Sequence, residues 1–136
     1  MTEYARDILT LAVSSYESEE CRIEAVVEGP RVEGESAIAI DFGLILTELI
    51  ANALKHSLLP RGGGRIVVAI GGGEGVLLCE VRDDGPGFPE GFELEGAQSL
   101  GFKIVMSLLK RREGKIAISR GPGASVACSI RIDRDA

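Results

Sequence analysis

Glu48, Asn52, Lys55 and His56 lie close together in the run Asp41–Ser57, DFGLILTELIANALKHS, and supply a carboxylate, an amide, an ammonium group and an imidazole. On a helix turning about 100° per residue, Glu48, Asn52 and Lys55 fall within an arc of roughly 60°, with His56 beside them. A carboxylate one turn from an amide oxygen can hold a hydrated divalent cation or orient a water molecule. A solvated helix face is the plain alternative. Against it, the polar line is narrow and flanked by Leu44, Ile45 and Ala51, which suggests a groove. A mid-helix Asn also competes for backbone partners and so wants a reason to be there.

Three glycine-bearing segments add to this line. Arg82-Asp83-Asp84-Gly85-Pro86-Gly87-Phe88 follows a strand-like run. Gly85 and Gly87 let backbone come close to a ligand, and Asp83 can accept a hydrogen bond from an amino group. Alone, the same residues also make an ordinary turn. Gly91–Gln98 leads into Ser99-Leu100-Gly101 at the start of a helix, where free N–H groups and the dipole favour an anion and Gly101 would let a phosphate approach. A plain Ser N-cap is the alternative there. Arg120–Ser125, RGPGAS, contains Gly121 and Gly123, which suit a hairpin turn, and Ser125, which offers a hydroxyl. The GxxxxGK[ST] phosphate loop is missing, as is a GxGxxG fingerprint after the first strand.

The elements that must position these groups are legible from periodicity. Asp41–Ser57 reads as a helix with Asp41 as N-cap and Phe42, Leu46, Leu49, Ile50, Ala53 and Leu54 as its apolar stripe. Pro60 and the glycines of Leu58–Gly64 end it. Glu3–Tyr16 reads as a helix with Tyr4, Ile8, Leu11 and Ala12 on one side. Ser99–Glu113 reads as another, with Leu100, Ile104, Val105, Leu108 and Leu109 inward, Lys110, Arg111 and Arg112 favouring its C-terminal dipole, and Gly114 as C′ residue. Cys21–Val27, Arg65–Ile70, Val76–Arg82, Lys115–Ser119 and Ser125–Ile132 read as strands, the second and third joined in a hairpin. The order predicts an α+β fold, a two-layer sandwich with adjacent antiparallel strand pairs and helices on one sheet face.

The totals limit the function. A net charge of −6 disfavours nonspecific binding to nucleic acid or an anionic membrane, and 4% aromatic residues leave little for base stacking. Without a spanning-length apolar run or a signal-peptide pattern, the expected compartment is the cytoplasm. Cys21, Cys79 and Cys128 are expected to be reduced core residues, and a single His excludes a His-rich zinc site.

In combination, Glu48-xxx-Asn52-xx-Lys55-His56, Asp83-x-Gly85-x-Gly87, Ser99-Leu100-Gly101 and Gly121-x-Gly123-x-Ser125 occur in an order that resembles the GHKL ATPases. Within that group the chain resembles the catalytic ATP-binding domain of bacterial sensor histidine kinases, from about Cys21 to Ile132. The resemblance implies a Bergerat-type fold, with a mixed, mostly antiparallel sheet and ATP held between the central helix and a lid. It implies residues 21–136 as the ATP-binding domain and residues 1–20 as a helical tail of a dimerisation segment. It also implies that Asn52 coordinates Mg²⁺, Glu48 orients a water or acts as base, and Lys55 and His56 contact phosphates. Asp83 would accept the adenine amino group, Gly85, Gly87 and Phe88 would shape the pocket, and Ser99, Leu100, Gly101 and Lys103 would face the phosphates. Ser125 would stand where the family commonly has a Thr near the adenine-side water. Asp84 departs from the Asn often found there, and Ser99 from a Gly. The short lid, about Phe88–Gln98, and the SLGF sequence look like the HWE type of sensor kinase.

The partners implied are ATP or ADP, a histidine-phosphoacceptor dimerisation domain in trans or in another part of a parent protein, and indirectly a response regulator. A free-standing serine kinase of the anti-sigma-factor kind shares the fold and the helix motif. A nucleotide-responsive interaction module without catalysis is a third reading.

Overall fold

The stripe Phe42, Leu46, Leu49, Ile50, Ala53 and Leu54 is buried along its whole length, so α2 (Ser36–Ala53) forms where its spacing predicts. Each fully buried Leu or Ile contributes about 1.5–3 kcal/mol. The propensity cost of one Asn is about 0.7 kcal/mol at most. Packing, not propensity, therefore holds this helix with Asn52 in it.

The computed structural model describes residues 2–29, 36–73, 75–85, 100–119, 123 and 125–131. The remaining elements are α1 (Thr2–Tyr16), β1 (Arg22–Glu28), a π-helical turn (Leu54–Leu58), α3 (Leu59–Arg61), β2 (Gly63–Gly73), β3 (Val76–Asp83), α4 (Leu100–Arg111), β4 (Lys115–Ser119) and β5 (Ser125–Arg131). The strands form one sheet in the order β1-β2-β3-β5-β4. β1 runs parallel to β2 across the α2 crossover, and the other pairings are antiparallel. The sheet is thus mixed and mostly antiparallel, as the resemblance implies, and β1 is the strand that a helical crossover returns parallel to its neighbour. No helix among the described residues is long and apolar enough to cross a membrane.

Alternation along the strands sorts the two sheet faces. Leu77, Cys79 and Val81 of β3 and Val126, Cys128 and Ile130 of β5 are buried against the helices. Glu80 and Arg82, with Ser125 and Ala127 opposite them in register, lie on the other, open face. All three cysteines are free and buried.

Two helices bury only part of the side that their sequence suggests: Ile8 and Ala12 of α1 pack partly buried against the core, and Val105, Leu108 and Leu109 of α4 lie within it. In α1 the core side is Ala5, Leu9 and Val13, while Leu11 is 71% exposed and the Tyr4 ring covers Gly43 of α2. In α4 Phe102 is buried with Val105, Leu108 and Leu109, while Leu100 and Ile104 are exposed. Gly114 is also one place off. Glu113 takes the left-handed conformation at φ 50°, and the Gly114 N–H donates to the Leu109 carbonyl at 2.6 Å.

Asp41 is not an N-cap. The helix starts at Ser36, so Asp41 sits inside it, 5% exposed, and its Oδ2 accepts from Arg111 at the end of α4 and from Arg112 just beyond it, each at 2.7 Å. Burial on its own would raise the pKa of this carboxyl, but the hydrogen bonds and charges of the two arginines outweigh it and hold the group below its ordinary 3.8. Because the folded-state pKa is depressed, the stabilisation is present above the ordinary value and is lost as pH falls through the folded one. Asp41→Ala is expected to lower the unfolding free energy by about 2–4 kcal/mol at neutral pH. Urea unfolding of both proteins should show that gap narrowing below pH 3.8; a gap independent of pH would mean that the ion pair is not its source.

Candidate functional site

Past Ala53 the central helix widens. Leu54–Leu58 make one π-helical turn, closed by the Leu59 N–H donating to the Leu54 carbonyl, before α3 continues to Arg61. Pro60 explains the change: it has no N–H to give, and in an α-helix its ring would collide with the carbonyl of His56, four residues back. A wider turn relieves both, and such turns gather at functional sites. The helix therefore runs through Pro60 rather than ending there, and stops at Gly62, whose φ of 90° only glycine adopts readily. Along this turn Lys55 and His56 are exposed while Ser57 and Leu58 are fully buried.

Ser57 joins the helical layer to the sheet. Its hydroxyl donates to Asp83 Oδ1 at 2.7 Å, and the Gly85 N–H donates to the same oxygen at 2.8 Å. Asp83 Oδ2 is buried with no hydrogen-bond partner among the described residues. Leaving a buried acceptor unpaired costs about 1–3 kcal/mol, so this oxygen calls for a donor, and the amino group of a purine would supply one. Backbone closes in around it. A Cβ at Gly85 would stand 2.1 Å from Ser57 Oγ, and one at Gly123 would stand 2.3 Å from the Asp83 carbonyl oxygen. Gly123 thus packs onto the end of β3.

Glu48 and Gly101 meet on the other side of α2. A Cβ at Gly101 would stand 2.3 Å from Glu48 Oε2. The half-buried carboxylate therefore lies against the first turn of α4, where free N–H groups and the positive dipole end favour negative charge. Asn52 follows one turn along α2, also half-buried, and Leu100 and Lys103 are exposed on α4. Asp84 is engaged structurally. Its Oδ1 accepts from the Arg65 N–H at 2.8 Å and from Arg61 at 3.3 Å, tying α3 and β2 to the end of β3. Arg61 also donates to the Asp84 carbonyl.

Ser125 does not join the group. Its hydroxyl donates to Glu80 Oε2 at 2.7 Å on the open face of the sheet, because it stands opposite Arg82 in the β3–β5 register. Arg82 donates to Glu80 at 2.6 Å and also to Glu28. The Ser125 hydroxyl first, then Arg82, hold the Glu80 carboxyl below its ordinary value despite burial. The neighbouring carboxylates in turn raise Arg82. Asp83 belongs to the opposite, helix-side face, where it meets Ser57. Gly87, Phe88 and Ser99, with the lid 88–98 and Gly121, lie outside the described residues.

Ser57, which donates to Asp83, is a candidate site residue that the polar line on α2 does not include. The signal was a hydroxyl on the apolar stripe, one turn after Ala53, where burial demands a polar partner.

Residues 37–135 match the family described as histidine kinase-, DNA gyrase B-, and HSP90-like ATPase. The chain is 32% identical over 95 residues to the sensor histidine kinase PdtaS of Mycobacterium tuberculosis, covering 67% of this chain and 19% of that one. It is 30% identical over 101 residues to the blue-light-activated histidine kinase 2 of Erythrobacter litoralis, covering 73% and 29%. The chain thus spans about a fifth to three tenths of the length of these relatives. Its fold is similar to the histidine kinase domain of the Erythrobacter litoralis EL346 blue-light activated histidine kinase, with a TM-score of 0.84, 26% identity, and 96% and 60% of the two chains covered. With that match over most of its length and this fold, the chain belongs to the family of histidine kinase-, DNA gyrase B- and HSP90-like ATPases.

Proposed function

We propose that the chain is the ATP-binding catalytic domain of a sensor histidine kinase, passing the γ-phosphoryl group of ATP to a histidine other than its own His56. The observation that carries the reading is Asp83: one carboxylate oxygen accepts from Ser57 and Gly85, and the other is buried and unpaired among the described residues. A carboxylate offers acceptors only, so the ligand edge it suits carries an amino group, as adenine does.

The remaining groups fall in line along α2. Asn52 is the residue to hold Mg²⁺, an ion that keeps most of its waters and takes one or two protein oxygens together with substrate phosphates. When bound, the ion would neutralise charge developing between the phosphates. Lys55 and His56, exposed beyond Asn52, and Lys103, exposed on α4, would meet phosphate oxygens. In the transfer, the bond from the γ-phosphorus to the leaving ADP oxygen breaks and one to the acceptor nitrogen forms. Glu48 takes up the proton that the acceptor imidazole loses. Such chemistry depends on positioning and charge stabilisation rather than on covalent catalysis by the protein. Gly85 and Gly101 keep the walls thin enough for base and phosphates to approach backbone.

Calorimetric titration of ATP tests the reading. Asp83→Asn places an amide N–H₂ where Oδ2 stands, so affinity is expected to fall ten- to hundredfold, about 1.4–2.7 kcal/mol. An unchanged affinity in the folded variant would remove Asp83 from the base site. Asn52→Ala should bind nucleotide with an affinity that no longer responds to Mg²⁺, whereas an undiminished response would contradict the metal role. Label appearing as acid-stable phosphoserine rather than acid-labile phosphohistidine would favour the serine-kinase reading instead.

A further inference from the structure

We propose that Ser57 is a positioning residue of this site: it fixes the Asp83 carboxylate so that the pocket accepts a purine bearing a 6-amino group and rejects one bearing a 6-oxo group. The inference rests on the reading of Asp83 as the adenine acceptor.

The torsion that orients an Asp carboxylate is soft and roughly two-fold, so either oxygen can face a ligand unless contacts decide. The Gly85 N–H, two residues along the same chain, holds one oxygen but leaves the carboxylate plane free to swing about that contact. The Ser57 hydroxyl arrives from the other layer of the fold and donates to the same oxygen. Two donors from different directions saturate Oδ1 and fix the plane. Oδ2 is then the oxygen of Asp83 left to accept from a ligand, and no donor stands beside it among the described residues.

The surroundings hold Ser57 in this role. It is fully buried, lies within the π-helical turn that Pro60 imposes, and is so close to Gly85 that no side chain fits between them. A hydroxyl has a single proton to donate, and here the carboxylate receives it. A 6-oxo purine would bring an acceptor against Oδ2 and leave both groups unpaired. Sites built around a polar pairing reject analogues lacking the partner far more strongly than apolar pockets reject a missing methylene. Discrimination therefore depends on the carboxylate keeping its plane, and not only on its presence.

The test is calorimetric titration of ADP and of inosine diphosphate, both with Mg²⁺, into the wild type, Ser57→Ala, Ser57→Cys and Ser57→Thr. The wild type is expected to prefer ADP by about a hundredfold or more. Ser57→Ala should lose about tenfold of that preference through weaker ADP binding. Ser57→Thr, which keeps the hydroxyl, should retain it. Ser57→Cys keeps the volume with a weaker donor and should lose several-fold, so the role stays testable even where the alanine variant does not fold. A folded Ser57→Ala or Ser57→Cys with the wild-type ratio overturns the positioning role and leaves Asp83 in place. A wild type that binds neither nucleotide, or both equally, overturns the adenine reading and this inference with it.

Discussion

One helix has to serve as a wall to every other part of the molecule, and most of the structure follows from that constraint. α2 lays its apolar stripe on the sheet, receives the Tyr4 ring of α1 over Gly43, and meets α4 twice. The two contacts with α4 differ in kind. At one end Asp41 binds Arg111 and Arg112; at the other the Glu48 carboxylate fills the space beside Gly101. Seven residues of helix separate Asp41 from Glu48, about 10 Å along the axis. Two contacts that far apart fix both the slide and the tilt of α4, and so fix where its first turn points. A buried ion pair remote from any chemistry thereby sets the position of a helix N-terminus next to a candidate catalytic carboxylate.

Strand alternation does a second piece of sorting. Arg82 and Asp83 are neighbours in sequence, yet they face opposite ways and have unrelated partners. Arg82 joins Glu80, Glu28 and Ser125 in a charge network on the open face. Asp83 turns to the helices and takes the Ser57 hydroxyl. The members of the open-face network pair with one another, whereas the Asp83 carboxylate keeps one buried acceptor unpaired among the described residues. Two acidic residues three places apart, Glu80 and Asp83, are thereby divided between a surface network and the candidate site.

Much of this was legible in the sequence because the apolar pattern is strong where the elements are long. The α2 stripe, the β2–β3 hairpin and the α+β layering follow from periodicity alone. The misread places are those where tertiary contacts override a local signal. Asp41 has the chemistry of a cap, but its fate was decided by arginines seventy positions away. Leu11 and Leu100 are as apolar as their neighbours and still lie outside, since α1 and α4 each have more apolar residues than one face can bury. Ser125 sits in a glycine-rich turn that suits a site, and only the strand register shows that its hydroxyl faces away. Ser57 was overlooked for the opposite reason: a small polar residue on an apolar stripe announces a buried partner, but the partner is 26 positions away in sequence and cannot be named from spacing.

The acidity of the chain bears on how such a site would hold a polyanion. With a net charge of −6, the domain offers no long-range attraction to phosphates, so binding has to be local. The first turn of α4 is one local source of positive potential, and the Glu48 carboxylate already lies against it. A helix terminus contributes about 0.3–1 kcal/mol to a nearby anion. Two unit negative charges about 4 Å apart in a partly screened protein setting repel by about 4 kcal/mol. The helix end alone therefore cannot hold a phosphate and an ionised Glu48 side by side. Further positive charge must accompany the nucleotide. This is the physical reason for including a divalent cation at Asn52 and the exposed lysines in the proposed site.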